Sequence, residues 1–235
     1  MIIAGNEEAA EVLRRRGYRG LVRVIPQFGV DRDLFRPGPS TRAELGLPLE
    51  AVVIGFIGRL VVEKGVDTAV RAIARVPQVH LALVGVGPLE KALRALAIEL
   101  AVVDRIHFLG GYPSDQIPRV LRGFDGLILP SRTTRRWKEQ FGRVLIEAMA
   151  AEIPVIGSNS AEIPRVIGDA GLGFEEGNVD DCARAICGLL DAESRRTLAM
   201  RGAARVRACY DQTVIAQRFW GAWCEAFAVW RTTRS

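Results

Sequence analysis

The chain has 235 residues, 49% hydrophobic and 25% charged, enough apolar content to bury the core of one large or two small domains. Its net charge of +5 gathers at Arg14 to Arg16, between Arg132 and Lys138, and at Arg231 and Arg234, which favours anionic partners. No zinc-finger, RNP or heptad pattern accompanies these clusters, so nucleic acid is not expected. The apolar runs fall short of the roughly 18 to 20 residues of a membrane span, and Met1 is not followed by a signal-like core. The expectation is a cytoplasmic protein, at most peripheral at the inner membrane face.

Residues 1–50 read as the tail of another domain plus a linker. A strand in MIIAG precedes a helix over NEEAAEVLRRRG capped by Asn6, then a strand in VRVIP and the turn-rich stretch FGVDRDLFRPGPS. From residue 51 to about 190, β-rich apolar runs alternate with helical-period stretches. Strands are expected in VVIGFIG, VHLALVG, IHFLGG, GLILP, PVIGS and GLGF. Helices are expected in VDTAVRAIARV, PLEKALRALAIELA, a short segment before GLILP, FGRVLIEAMAAE and DDCARAICGLLDA. The alternation predicts an α/β fold, a Rossmann-like doubly wound parallel sheet, over residues 51–190.

Residues 191–235 read as C-terminal helices. Phe219, Trp220, Trp223, Phe227 and Trp230 fall mostly on one helical face, which packs either on the chain's own core or on a partner, allowing self-association. Cys182, Cys187, Cys209 and Cys224 lack C-x-x-C spacing, so neither a metal cage nor a disulfide framework is expected. His80 and His107 sit in strand-like runs, where a structural imidazole is the commoner case.

Glu139 and Glu147 could suggest a glycosidase. On one continuous helix they would stand about 12 Å apart, beyond the roughly 5 to 9.5 Å that hydrolytic carboxylate pairs need. A better geometry places Glu139 in the loop before the helix and Glu147 two turns inside it. The N–H groups of Phe141, Gly142 and Arg143 would then face what Glu139 touches, and a helix N-terminus favours phosphate. Arg59 and Lys64, in GRLVVEKG, supply complementary positive charge, with Gly58 and Gly65 allowing a tight turn. Together the segments point to a sugar held on a diphosphate. GVGPLE is a weak dinucleotide fingerprint because Glu90 occupies its third glycine position, and no P-loop, H-E-x-x-H or G-x-S-x-G is present.

The succession IPQFGVD, GRLVVEKGVD, LALVGVGPLE, DRIHFLGG, LPSRT, EQFGRVLIEAMA, PVIGS and EIPRVIGDAG resembles the C-terminal, donor-binding domain of retaining GT-B glycosyltransferases of family four. The resemblance implies transfer of a sugar from a UDP-, GDP- or ADP-sugar with retained configuration, without a cofactor or required metal. It implies catalytic roles for Arg59 and Lys64 on the diphosphate and for Glu139 on the donor-sugar hydroxyls, with Glu147 on the ribose. Phe141, Gly142 and Arg143 would line the sugar and phosphate pocket together with Gly58, and the base would lie near Gly85, Leu109 and Gly110.

Three residues depart from the family pattern: Glu152 and Ala161 where glycine is usual, and Arg165 where glutamate is common. The N-terminal acceptor domain is represented only by a remnant strand and helix. The resemblance therefore implies that a missing domain or a partner chain supplies the acceptor site, and that this chain alone binds donor but transfers poorly. The alternative is a non-enzymatic Rossmann-like module that uses its basic surface for binding.

Overall fold

A computed structural model describes residues 1–232; Arg234, counted among the basic residues above, lies outside them. In chain order the elements are β1 (Ile2–Ala4), α1 (Glu7–Arg15), β2 (Val22–Val24), β3 (Val52–Ile57), α2 (Val66–Ala74), β4 (Val79–Val84) and α3 (Glu90–Glu99). They continue with β5 (Ile106–Gly110), α4 (Ile117–Leu121), β6 (Gly126–Leu129), α5 (Arg143–Ala150), β7 (Val155–Ser158), α6 (Ile163–Ile167) and β8 (Gly171–Phe174). Three helices close the chain: α7 (Val179–Cys187), α8 (Ala192–Cys209) and α9 (Gln212–Thr232). Every expected strand is present, and α6 is a helix that the sequence pattern did not announce.

The chain forms two compact units, and the larger spans Arg32–Ala204. Its six strands are parallel and ordered β5-β4-β3-β6-β7-β8. The chain steps outward from β3 to β5, then returns to start again at β6. That reversal opens a crevice at the carboxyl ends of β3 and β6, the place where open α/β sheets bind ligands. Val53, Ile54 and Phe56 of β3 and Leu81 and Leu83 of β4 are fully buried, because helices cover both faces of a parallel sheet. In α2 the buried Val66, Ala69, Val70 and Ile73 repeat at helical spacing and turn one stripe to the sheet.

Residues 32–50 belong to this unit through Arg42. Its guanidinium pairs with Asp125 and donates to the Gly123 and Ala51 carbonyls, each at 3.1 Å. Asp125 in turn accepts from the Val53 amide at 2.8 Å, so one partly buried arginine stitches the segment to the start of β3. Cys182 of α7 is buried, and burial pushes its thiol up to about 12. Cys187 and Cys224 are exposed, and all four cysteines are free thiols.

The smaller unit comprises Met1–Asp31 and the chain from Arg205 onward. Here β1 and β2 pair in parallel, and the Asn6 side chain caps α1 by accepting from the Ala9 amide at 2.8 Å. Ile25, Ile215 and Ala222 form a small core joined by Ile3 and Phe219. Of the five aromatics in α9, Phe219 alone turns to this core. Trp220, Trp223, Phe227 and Trp230 remain 49–67% exposed, a stripe that the smaller unit itself leaves uncovered. Among the described residues, no helix is long and apolar enough to cross a membrane.

Candidate functional site

After β3 the chain runs through Gly58 and Arg59 into a tight 3-10 turn, Val62–Lys64, which closes at Gly65 in the left-handed conformation. A Cβ on Gly65 would lie 2.1 Å from the Pro130 carbonyl oxygen, a backbone atom that cannot yield, so glycine is required. Pro130 and Ser131 follow β6 directly, and the Arg132 amide donates to the Glu63 carbonyl at 2.8 Å. The loops on the two sides of the crevice are therefore pinned to one another by backbone. On the other flank, a Cβ on Gly85 would meet the Gly58 carbonyl oxygen at 1.8 Å. Gly58 donates to Val84 at 2.9 Å, and Gly85 donates to Gly110 at 2.7 Å, so the ends of β3, β4 and β5 form one layer in which Leu109 is half-buried.

Lys64 and Glu139 meet across this crevice. The Lys64 Nζ lies 2.6 Å from Glu139 Oε2, both side chains being largely buried, and Ser131 Oγ donates to the same oxygen at 3.0 Å. The Lys64 ammonium also stands 5.0 Å from the centre of the Trp137 ring, a cation–π contact. Arg59 stays apart from this cluster: its side chain is mostly exposed and reaches Glu63 at 3.7 Å. The Glu147 side chain on α5 is largely buried and pairs with Arg143 at 3.0 Å. Burial pushes its carboxyl up, and Arg143 only partly opposes that.

The helix after Glu139 starts at Arg143, two residues later than the expected FGRVLIEAMAAE, and it ends at Ala150. Gly142 is left-handed and stands outside it as the cap, and Phe141 is buried before it. Glu147 consequently lies about one turn inside the helix rather than two. Helix α5 opens toward the loop that holds Glu139, and the first N–H groups of a helix have no acceptor within it.

Two residues at this site were not singled out in the sequence. Ser131 could have been found from its position just past β6, at the carboxyl edge of a central strand. Trp137 carried no signal beyond its place among basic residues. Glu152 and Ala161 do adopt left-handed backbone, with φ of 59° and 47°. Arg165 pairs with Glu162 at 3.3 Å.

Residues 39–206 match the family described as Glycosyl transferases group 1, well over half of the chain. The chain belongs to this family. Its sheet is that of the Rossmann-like C-terminal domain of the GT-B fold.

A GDP-mannose-dependent alpha-(1-6)-phosphatidylinositol monomannoside mannosyltransferase of Mycobacterium tuberculosis is 37% identical over 188 residues, 75% of this chain and 49% of the relative. Among solved structures, sucrose-phosphate synthase from Thermosynechococcus elongatus superposes with a TM-score of 0.83 at 30% identity, covering 97% of this chain and 58% of that one. Anabaena HepE in complex with UDP gives 0.85 at 26% identity, covering 96% and 64%. This group 1 chain spans about half the length of the curated relatives it matches.

Proposed function

We propose that this chain is the nucleotide-sugar-binding half of a cytoplasmic, retaining hexosyltransferase. The meeting of Lys64, Ser131 and Glu139 at the carboxyl ends of β3 and β6 carries the reading. Arg59 and Lys64 face the donor diphosphate, and their fixed charge stabilises the negative charge that grows there as the bond to the anomeric carbon breaks. That bond breaks, the acceptor oxygen forms the new one on the same face, and the acceptor's proton passes to the departing diphosphate. Two cations and the amides at the start of α5 meet the charge without a metal.

Glu139 accepts hydrogen bonds from the donor-sugar hydroxyls when Lys64 turns toward phosphate, and Glu147 accepts from the ribose. The amides of Phe141, Gly142 and Arg143 line the sugar and phosphate pocket beside Gly58. The base lies by Gly85, Leu109 and Gly110. The UDP bound to HepE and the GDP-mannose dependence of the mycobacterial relative support a nucleotide-sugar donor.

In this reading the acceptor sits on a further domain or a partner chain, so these residues alone bind donor and transfer poorly. The exposed aromatic stripe of α9 supports such a contact, with a second copy of the chain taking its place in isolation.

The test is thermal unfolding with UDP, GDP and ADP, repeated on Lys64→Ala and Glu147→Ala, with a turnover assay alongside. A ligand at a hundred times its Kd adds about 2.7 kcal/mol. Stabilisation by one nucleotide, lost in both variants, is expected. No shift with any nucleotide would favour the basic binding module, and robust transfer by the chain alone would overturn the acceptor assignment.

A further inference from the structure

A cavity of about 450 Å³ borders the loops of the candidate donor site, in the groove between α2 and α3. Its wall on the α3 side is apolar, formed by Leu89, Leu93 and Leu96. Ala92 and Ala95 line it as well, and these exposed positions keep the groove open because their side chains are small. Asp67 and Arg71 of α2 form the opposite side, and Val62 and Arg132 close one end.

The charges at the closed end are not balanced. Arg132 gives one terminal nitrogen to Asp67, at 2.8 Å, and to the Thr68 hydroxyl, while its Nε is buried without an acceptor among the described residues. A buried donor with no partner is costly, so the Arg132 side chain is not settled by its contacts to Asp67 and Thr68. Arg71, one turn beyond Asp67, makes no ion pair among the described residues. Glu99 lines the groove ten residues along α3 from Leu89, about 15 Å away, and would repel a second anion there.

We propose that this groove binds a small amphipathic anion, an apolar ring or chain carrying one carboxylate, phosphate or sulfonate. The anionic head meets the Arg71 and Arg132 guanidinium groups that line the groove, the apolar body lies along Leu89, Leu93 and Leu96, and a neutral or cationic end reaches Glu99. Molecules with an anion at both ends are disfavoured.

Binding there reaches the crevice through two residues. Arg132 follows Ser131, the donor to Glu139, and its amide is bonded to Glu63, which precedes Lys64. An acceptor that draws on Arg132 therefore braces both segments carrying the Lys64–Glu139 contact. The groove is an effector site for the segment Ser131–Glu139. The catalytic meaning of that segment rests on the function proposed above, but the binding and the bracing do not.

The probe is 8-anilinonaphthalene-1-sulfonate, an aromatic anion whose emission rises in apolar surroundings. The chain carries Trp220→Ser and Trp223→Ser, so that the exposed stripe of α9 does not compete. One saturable site per chain is expected, with affinity at least tenfold lower for Ala92→Trp, which fills the groove, and for Arg71→Gln. The uncharged analogue N-phenyl-1-naphthylamine should bind at least tenfold more weakly. Circular dichroism establishes that each variant is folded. Unchanged affinity in Ala92→Trp overturns the site, and equal binding of the uncharged analogue, or no loss in Arg71→Gln, overturns the anion class. Hydrogen exchange of residues 131–139 should slow when the probe saturates; unaltered exchange overturns the bracing. Failure of every nucleotide to bind would count against the donor reading alone.

Discussion

Lys64 and Ser131 donate to one and the same oxygen of Glu139, at 2.6 and 3.0 Å. Both side chains are largely buried, and removing one member of a buried ion pair costs about 3–5 kcal/mol. Lys64→Met should therefore destabilise the chain by an amount of that order, and Lys64→Met with Glu139→Gln by less than the sum of the single losses. Urea denaturation of the four proteins measures the coupling. Strictly additive losses would mean that the two residues do not act as a pair.

Glu147 is a different case, because burial holds its carboxyl above the ordinary range. A carboxyl raised on folding contributes its stability below its unfolded value, and that contribution is lost as pH rises through the folded one. Glu147→Gln removes the buried charge, so at pH 8 the variant should be at least as stable as the parent. It should nevertheless lose the stabilisation given by a nucleotide. A variant that melts lower at pH 8 would contradict the burial account.

Glu152 and Ala161 occupy backbone that L-residues avoid, at a cost of about 1–2 kcal/mol each. Glycine removes that cost but loosens the unfolded chain by about 0.4–1 kcal/mol. Each single change to glycine should raise stability by roughly 0.5–1 kcal/mol. The thermal midpoint should then rise by about 1–4 °C. Calorimetry showing no rise at either position would indicate that the turns are relaxed with their present residues.

His80 and His107 stack across β4 and β5, with Nδ1 of the first 3.0 Å from Nε2 of the second. Burial lowers both, and Arg105 adds to the effect on His80 as His80 does on His107. A histidine lowered on folding contributes its stability above the ordinary value near 6.5 and loses it as pH falls through the folded value. Stability should therefore decline as pH falls below about 6.5, and the decline should flatten in His80→Asn with His107→Asn. Parallel pH profiles for the two proteins would remove the imidazole pair as the cause.

The sheet was legible because each strand of the larger unit is a short apolar run between turn residues, and α2, α3 and α7 repeat their buried positions at helical spacing. The start of α5 was not, because Gly142 interrupts what periodicity alone reads as continuous helix. The family pattern also anticipated where left-handed backbone would fall, at Glu152 and Ala161, even though neither is glycine. The Lys64 and Glu139 segments were read as parts of one site, but not the direct bond between them: 75 residues separate the two, and the return of the chain from β5 to β6 sets their loops face to face. Arg42 escaped notice for the same reason, since its partner Asp125 lies just before a strand 83 residues away.

Cys182 gives the molecule a clock for its own opening. With its thiol near 12, roughly one part in 10⁵ is thiolate at pH 7, and the side chain is closed to solvent. Cys187 and Cys224 meet a thiol reagent at once, whereas Cys182 must wait until α7 lifts from α2. The lag before its alkylation times that excursion with no label added to the chain, and a ligand that steadies the sheet would lengthen it.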